Sequence, residues 1–82
     1  MRYFAFLHRS PGSSYGVSFP DLPGCYSGGE TEAEARANAP EALAAHVQAL
    51  RDLGRAVPAP SDLATAMSRV ADPAAVVFTV EL

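Results

Sequence analysis

Lysine is absent from this 82-residue chain, cysteine occurs once, and no apolar run approaches the length of a membrane span. Each scarcity excludes something. The six basic residues are all arginine, scattered as Arg2, Arg9, Arg36, Arg51, Arg55 and Arg69, and nine acidic residues leave a formal net charge of -3. Nucleic-acid affinity rests mainly on clustered basic side chains that release counterions, so this chain is predicted not to bind nucleic acid directly. A basic protein partner fits the balance better. The single Cys25 excludes an intrachain disulfide and a cysteine-built zinc site within one chain. A bilayer span takes about 18 consecutive apolar residues, and the N-terminus lacks the basic-then-apolar layout of a signal peptide. A cytoplasmic protein with no membrane contact is predicted.

The length allows a single domain over residues 1–82, and a chain of this size buries only about 60 to 65% of its unfolded surface. Half of the residues are hydrophobic but many are alanine, which points to stability gained through self-association. Tyr3 to His8 reads as a strand that is apolar on both faces, Tyr3, Ala5 and Leu7 on one and Phe4, Phe6 and His8 on the other. Ser10-Pro11-Gly12-Ser13-Ser14 is a turn by composition. Tyr15, Val17 and Phe19 then alternate with Gly16 and Ser18 in the period of a half-buried strand. Pro20 and Pro23 remove backbone donors and Gly24 permits a positive φ, so the chain leaves the sheet at this corner and rejoins it near Cys25 and Tyr26. Gly28-Gly29 ends that third strand.

Thr31 and Glu34 have the spacing of a capping box at the start of a long helix. Its apolar stripe is predicted to run through Ala35, Ala39, Ala42, Leu43, His46, Leu50 and Leu53, with a kink at Pro40 and a stop at Gly54. Beyond the Pro58-Ala59-Pro60 linker, Ser61 is positioned to cap a shorter helix through Leu63, Ala64, Met67 and Val70 that Pro73 ends. The closing strand alternates Val76, Phe78, Val80 and Leu82 against Val77, Thr79 and Glu81. The expected architecture is α+β in the order βββααβ, a two-layer sandwich with helices on one face of an antiparallel sheet.

Phe19-Pro20-Asp21-Leu22-Pro23-Gly24-Cys25, followed by Thr31, Glu34, Ala35, Asn38, Ala39, Glu41 and Ala42 in register, resembles the signature of the HicB family of bacterial antitoxins. That family carries a P-D-L-P-G-C corner and then a helix reading T-x-x-E-A-x-x-N-A-x-E-A. The resemblance continues through Gly54 and Pro58-Ala59-Pro60-Ser61 to the last strand. It implies a partial ribonuclease H-like fold and an inhibitor that binds and masks a HicA-type, messenger-RNA-cleaving toxin. It also implies dimers or tetramers. Many members add a C-terminal DNA-binding segment, and this chain stops at Leu82 after the closing strand. Toxin neutralisation without a C-terminal DNA-binding domain is therefore the expectation, the alternative being a stand-alone oligomeric scaffold or ligand-binding module that kept the fold and has no toxin partner.

Candidate partner contacts are Pro20, Asp21, Leu22, Pro23 and Gly24 of the corner, with Asn38 and Glu41 of the helix. Loops held by a scaffold often carry such contacts, although prolines, glycine and a self-bonding Asp21 also make a purely structural bend. Tyr3, Phe4 and Phe6 are candidates for contact between copies, because helices on one face leave one side of the first strand uncovered. No catalytic, metal-binding or cofactor-binding residues are assigned. Ribonuclease H-type chemistry needs acidic side chains converging on metal ions, and Tyr3 to His8, Tyr15 to Phe19 and Val76 to Val80 contain no Asp or Glu. His46 reads as a partly buried core residue, His8 stands alone on its strand, and Cys25 reads as a small packed residue.

Overall fold

A computed structural model of the chain describes residues 1–9 and 14–82. The turn expected at residues 10–14 lies, apart from Ser14, outside the described residues. The elements are β1 (Arg2–Arg9), β2 (Tyr15–Ser18), β3 (Tyr26–Gly29), α1 (Glu32–Asp52), α2 (Leu63–Ser68) and β4 (Val76–Glu81), in the predicted order. All strand pairings are antiparallel and the sheet runs β3-β2-β1-β4. The doubly apolar β1 thus takes an interior place, and β3 and β4 form the two edges.

Alternation along β1 sends Tyr3, Ala5 and Leu7 to the face that α1 covers. There they meet Val17, Phe19, Val80 and the helix residues Ala35, Ala39, Leu43 and Val47. The buried helix positions are therefore spaced by four, and Val47 occupies the place that the predicted stripe gave to its neighbour His46. Leu53, predicted on that stripe, is exposed because it is the helix C-cap, where the chain already turns away from the sheet. Gly54, at φ +70°, follows it: Gly54 N–H bonds Arg51 O and Arg55 N–H bonds Leu50 O, the paired bonds of a Schellman ending. At the other end Thr31 accepts from Glu34 N–H at 3.1 Å. The helix runs unbroken through Pro40, whose ring is exposed.

Phe6 and His8 point to the opposite sheet face. Phe6 is nonetheless only 3% exposed, and His8 is bonded to Asp72 in the segment joining α2 to β4. That segment reaches around to the second face. Ser61 does not cap α2, as the sequence suggested, because Asp21 has taken its hydroxyl. Asp62 caps instead, accepting from Thr65 N–H at 2.8 Å.

The approach of α1 to β3 is close enough to exclude a side chain at Gly29. A Cβ there would stand 2.6 Å from Ala35 N and 2.9 Å from the Glu34 carbonyl carbon, whereas one at Gly16 would meet nothing within 4 Å. Overpacking of backbone costs about 1–3 kcal/mol. Gly29→Ala is expected to lower stability by that amount in urea denaturation, with Gly16→Ala as the milder control; equal midpoints for the two would show that α1 can shift freely over β3.

Candidate partner-binding surface

Two reverse turns share Leu22 and build the corner between β2 and β3. Leu22 N–H donates to Phe19 O at 3.0 Å, Cys25 N–H donates to Leu22 O at 3.0 Å, and Phe19 N–H closes the loop on Cys25 O at 3.4 Å. Each proline occupies the second position of its turn, where its fixed φ is already correct, and Gly24 follows Pro23 at φ +88°, as a type II turn requires. The corner is rigid by covalent chemistry.

Its central residues turn inward. The Asp21 carboxylate is buried and accepts three hydrogen bonds: from Ser61 N–H at 2.9 Å, from the Ser61 hydroxyl at 2.7 Å and from Arg69 Nη1 at 2.8 Å. Leu22 is in the core. Asp21 and Leu22, expected among the partner contacts, are thus anchors of the corner with no surface to offer. Pro20 is half-buried, and Pro23 and Gly24 are exposed.

Beside the corner is an open depression of about 300 Å³, walled by Pro20, Pro23, Tyr26, Arg69 and the sheet residues His8 and Ser18. Tyr26, 70% exposed, is its most prominent side chain. The period-2 alternation that buries Cys25 would have pointed Tyr26 outward. His8 is not alone, as its sequence context suggested. Its Nδ1 lies 3.0 Å from Asp72 Oδ2 and its Nε2 lies 2.7 Å from Ser18 Oγ. The connectivity has the order of an acyl-transfer relay, but its carboxylate belongs to the connector ahead of β4, and the bonds pin that connector to the sheet. The His8 hydrogen bond, with a further one from Ala74 N–H, holds the Asp72 carboxyl below the usual carboxylate range.

Asn38 lies along α1 from the tip of the corner. The imidazole of His46 sits 3.7 Å from where a Gly24 Cβ would stand, and Asn38 precedes His46 by eight residues, about 12 Å along a helix. Asn38 Nδ2 donates to Gly28 O at 2.9 Å, tying the helix to the outer edge of β3. Glu34 and Glu41, both exposed, neighbour Asn38 at helical spacing. The predicted contacts that remain exposed are therefore the Pro23-Gly24 tip and the Asn38 and Glu41 positions of α1. Of the residues expected to meet a second copy, Tyr3 is fully buried under α1, Phe6 is nearly so, and Phe4 is half-buried.

Cys25, at the foot of the corner, has its thiol pushed up to about 11 by burial, which suppresses the reactive thiolate. Among the described residues no three His, Cys, Asp or Glu side chains gather as a metal site would need, and no helix is long and apolar enough to cross a membrane.

A family model for the HicB-like antitoxin of bacterial toxin-antitoxin systems matches residues 3–82. The chain belongs to the HicB-like antitoxin family. Its fold is similar to the crystal structure of the N-terminal domain of the Burkholderia pseudomallei antitoxin HicB, with 35% identity and a TM-score of 0.82 over 100% of this chain and 98% of that one. It is also similar to a chain of the HicA3 and HicB3 toxin-antitoxin complex, with 31% identity and a TM-score of 0.75 over 99% of this chain and 96% of that one. A 14.9 kDa protein of Haemophilus phage HP1 is 50% identical over 36 residues, which span 44% of this chain and 27% of the phage protein. For a HicB-like chain, the corner and the Asn38 helix are thus both signature and scaffold.

Two measurements test the anchors. Asp21→Ala removes a buried acceptor of charge-assisted bonds and is expected to cost about 2–3 kcal/mol, with a smaller loss for Arg69→Ala because that guanidinium is half-exposed. Matching losses would make the ion pair, not the Ser61 bonds, the main restraint. Asp72 is a carboxylate whose folded pKa is depressed, so its contribution is complete above the unfolded value, about 3.9, and is lost as pH falls through the folded one. Asp72→Asn is expected to flatten the acid limb of the stability curve below about pH 4; an unchanged limb would show that the His8 bond carries no net stability.

Proposed function

We propose that this chain is an antitoxin that binds a HicA-type, messenger-RNA-cleaving ribonuclease and masks it, with no catalysis of its own. The observation that carries this reading is the similarity of 99% of the chain to a chain from a toxin-antitoxin complex, within a family of antitoxins. The surface offered to the toxin is the exposed tip Pro23-Gly24, the Tyr26 ring and the α1 flank of Asn38 and Glu41. An RNA-cleaving protein needs basic side chains to hold phosphates. The exposed carboxylates of Glu34 and Glu41 supply the opposite sign on a surface held stiff by prolines and Asp21, so little order is lost on docking. Masking is steric and electrostatic. A non-enzymatic role agrees with strands whose only acid is Glu81, at the end of β4.

Co-expression is expected to rescue growth from the cognate toxin, and the purified chain to leave RNA uncut with Mg²⁺ or Mn²⁺. Tyr26 and Glu41 are both exposed, so Tyr26→Ala with Glu41→Arg is expected to leave the melting temperature unchanged. The same pair should weaken toxin binding at least about tenfold, equivalent to about 1.4 kcal/mol. Binding that is undiminished would move the interface elsewhere, and metal-dependent RNA cleavage that survives rigorous purification would overturn the non-catalytic reading.

A further inference from the structure

We propose that Ser18 is a nucleophilic modification site, a hydroxyl that takes the acyl group of a small activated ester with His8 as its general base. The inference is independent of toxin binding. It begins with strand register. Ser18 of β2 stands opposite Phe6 of β1 and opposite Tyr26 of β3, and residues directly opposite share a sheet face. His8, two residues beyond Phe6, lies on that face as the diagonal neighbour of Ser18, within reach of a long side chain. Its imidazole spans the diagonal. Nε2 lies 2.7 Å from Ser18 Oγ, and Nδ1 lies 3.0 Å from Asp72 Oδ2.

The two bonds of the imidazole fix where its proton sits. An ionised carboxylate only accepts, so Asp72 places the ring proton on Nδ1, and its bonds from His8 and from Ala74 N–H keep it ionised. In the neutral ring Nε2 then carries a lone pair, and the Ser18 hydroxyl donates to it. The base is already seated on the proton it takes. That bond also turns the lone pairs of Ser18 Oγ away from His8 and toward the depression that Ser18 lines. Ser68 shows the alternative. Its hydroxyl donates to Thr65 O at 2.6 Å, a backbone acceptor that cannot carry the proton away.

The depression supplies the rest of the site. Its volume of about 300 Å³ is open to solvent and suits a small ester. The rings of Pro20, Pro23 and Tyr26 are its apolar walls, and Arg69 lines the same space. Arg69 Nη1 is bonded to Asp21, which fixes the guanidinium, and its other two nitrogens carry further donors. A positive charge held in the depression favours the oxyanion of an acyl-transfer step. The step balances without a further reagent. Ser18 Oγ bonds to the acyl carbon as its proton passes to His8 Nε2, the bond from that carbon to the alcohol oxygen breaks, and His8 returns the proton to the departing oxygen. The product is one Ser18 ester per chain and a free alcohol, which leaves the non-catalytic reading of toxin binding intact.

Lysine, the usual competitor for acyl groups, is absent and Cys25 is buried, so the labelled position is easily read. With p-nitrophenyl acetate the chain is expected to release a burst of nitrophenolate and to carry the acetyl group on Ser18, placed by fragment mass spectrometry. Ser18 should react at least about a hundredfold faster than Ser68 of the same chain, the gain of a positioned general base. Ser18→Ala is expected to abolish the burst with unchanged circular dichroism, because the bond between His8 and Asp72 remains. His8→Ala is expected to slow acetylation of Ser18 about a hundredfold, and added imidazole to return part of the rate, which a purely structural histidine does not predict. Asp72 is a positioning residue, so Asp72→Asn is expected to lower the maximal acylation rate and leave the half-saturating ester concentration unchanged. A change confined to that concentration would strike Asp72 from the relay. Acetylation of Ser18 no faster than of Ser68 would overturn the proposal, as would a folded His8→Ala chain that imidazole does not revive. Should a variant unfold, the comparison of Ser18 with Ser68 in the wild-type chain decides the matter alone.

Discussion

The buried carboxylate of Asp21 is the constraint on which the presentation of the surface depends. An ionised group taken out of water is tolerated only when its lone pairs are filled, and here the donors come from two distant parts of the chain. Ser61 is 40 residues away and Arg69 is 48. Folding must therefore bring the linker after α1 and the end of α2 onto the corner at once, and the corner cannot relax without stranding the charge. Arg69 keeps half of its side chain in water, which limits its own desolvation while completing the set. The outcome is a turn whose middle is locked inward and whose tip, Pro23 with Gly24, is held outward.

That lock was only half legible from sequence. Turn chemistry is local, so Pro20, Pro23 and Gly24 announce a bend by themselves, and the periods of β2, β3, α1 and β4 give the element order. Partners 40 residues apart leave no local trace, and so the same Asp21 that suggests a self-bonded turn gives no hint of Ser61. The cap of α2 falls on Asp62 and not on Ser61 for the same reason. Ser61 and Asp62 are both good caps, and only the distant carboxylate decides between them. The buried stripe of α1 ends on Val47, about 100° around the helix from His46, because burial advances in steps of four that drift by about 40° each, and an alanine-rich helix offers little contrast to show the drift.

The first strand shows another limit of pattern reading. Its two apolar faces were legible, and one of them had to be covered by α1, but which face it was depended on the sheet order. Alternation puts Tyr3, Ala5 and Leu7 with Val17 and Val80 under the helix, and the connector held by His8 and Asp72 then reaches the other side. Phe6 is buried there without a long helix above it. Exposed large apolar side chains are accordingly found away from both faces of β1, in Val76, Val77 and Leu82 at a strand edge, in Leu53, Leu63 and Met67 of the helices, and in Met1 and the ring of Tyr26.

The two sheet edges are finished differently. Asn38 fills the Gly28 carbonyl and so blocks part of the β3 edge, and α1 packs chiefly over that side. An edge whose acceptor is already occupied is less open to pairing with a further strand. On the reading proposed above, a toxin on this side is therefore met by side chains, the ring of Tyr26 and the carboxylates of Glu34 and Glu41 beside Asn38, and the attraction is electrostatic instead of resting on a strand added to the sheet.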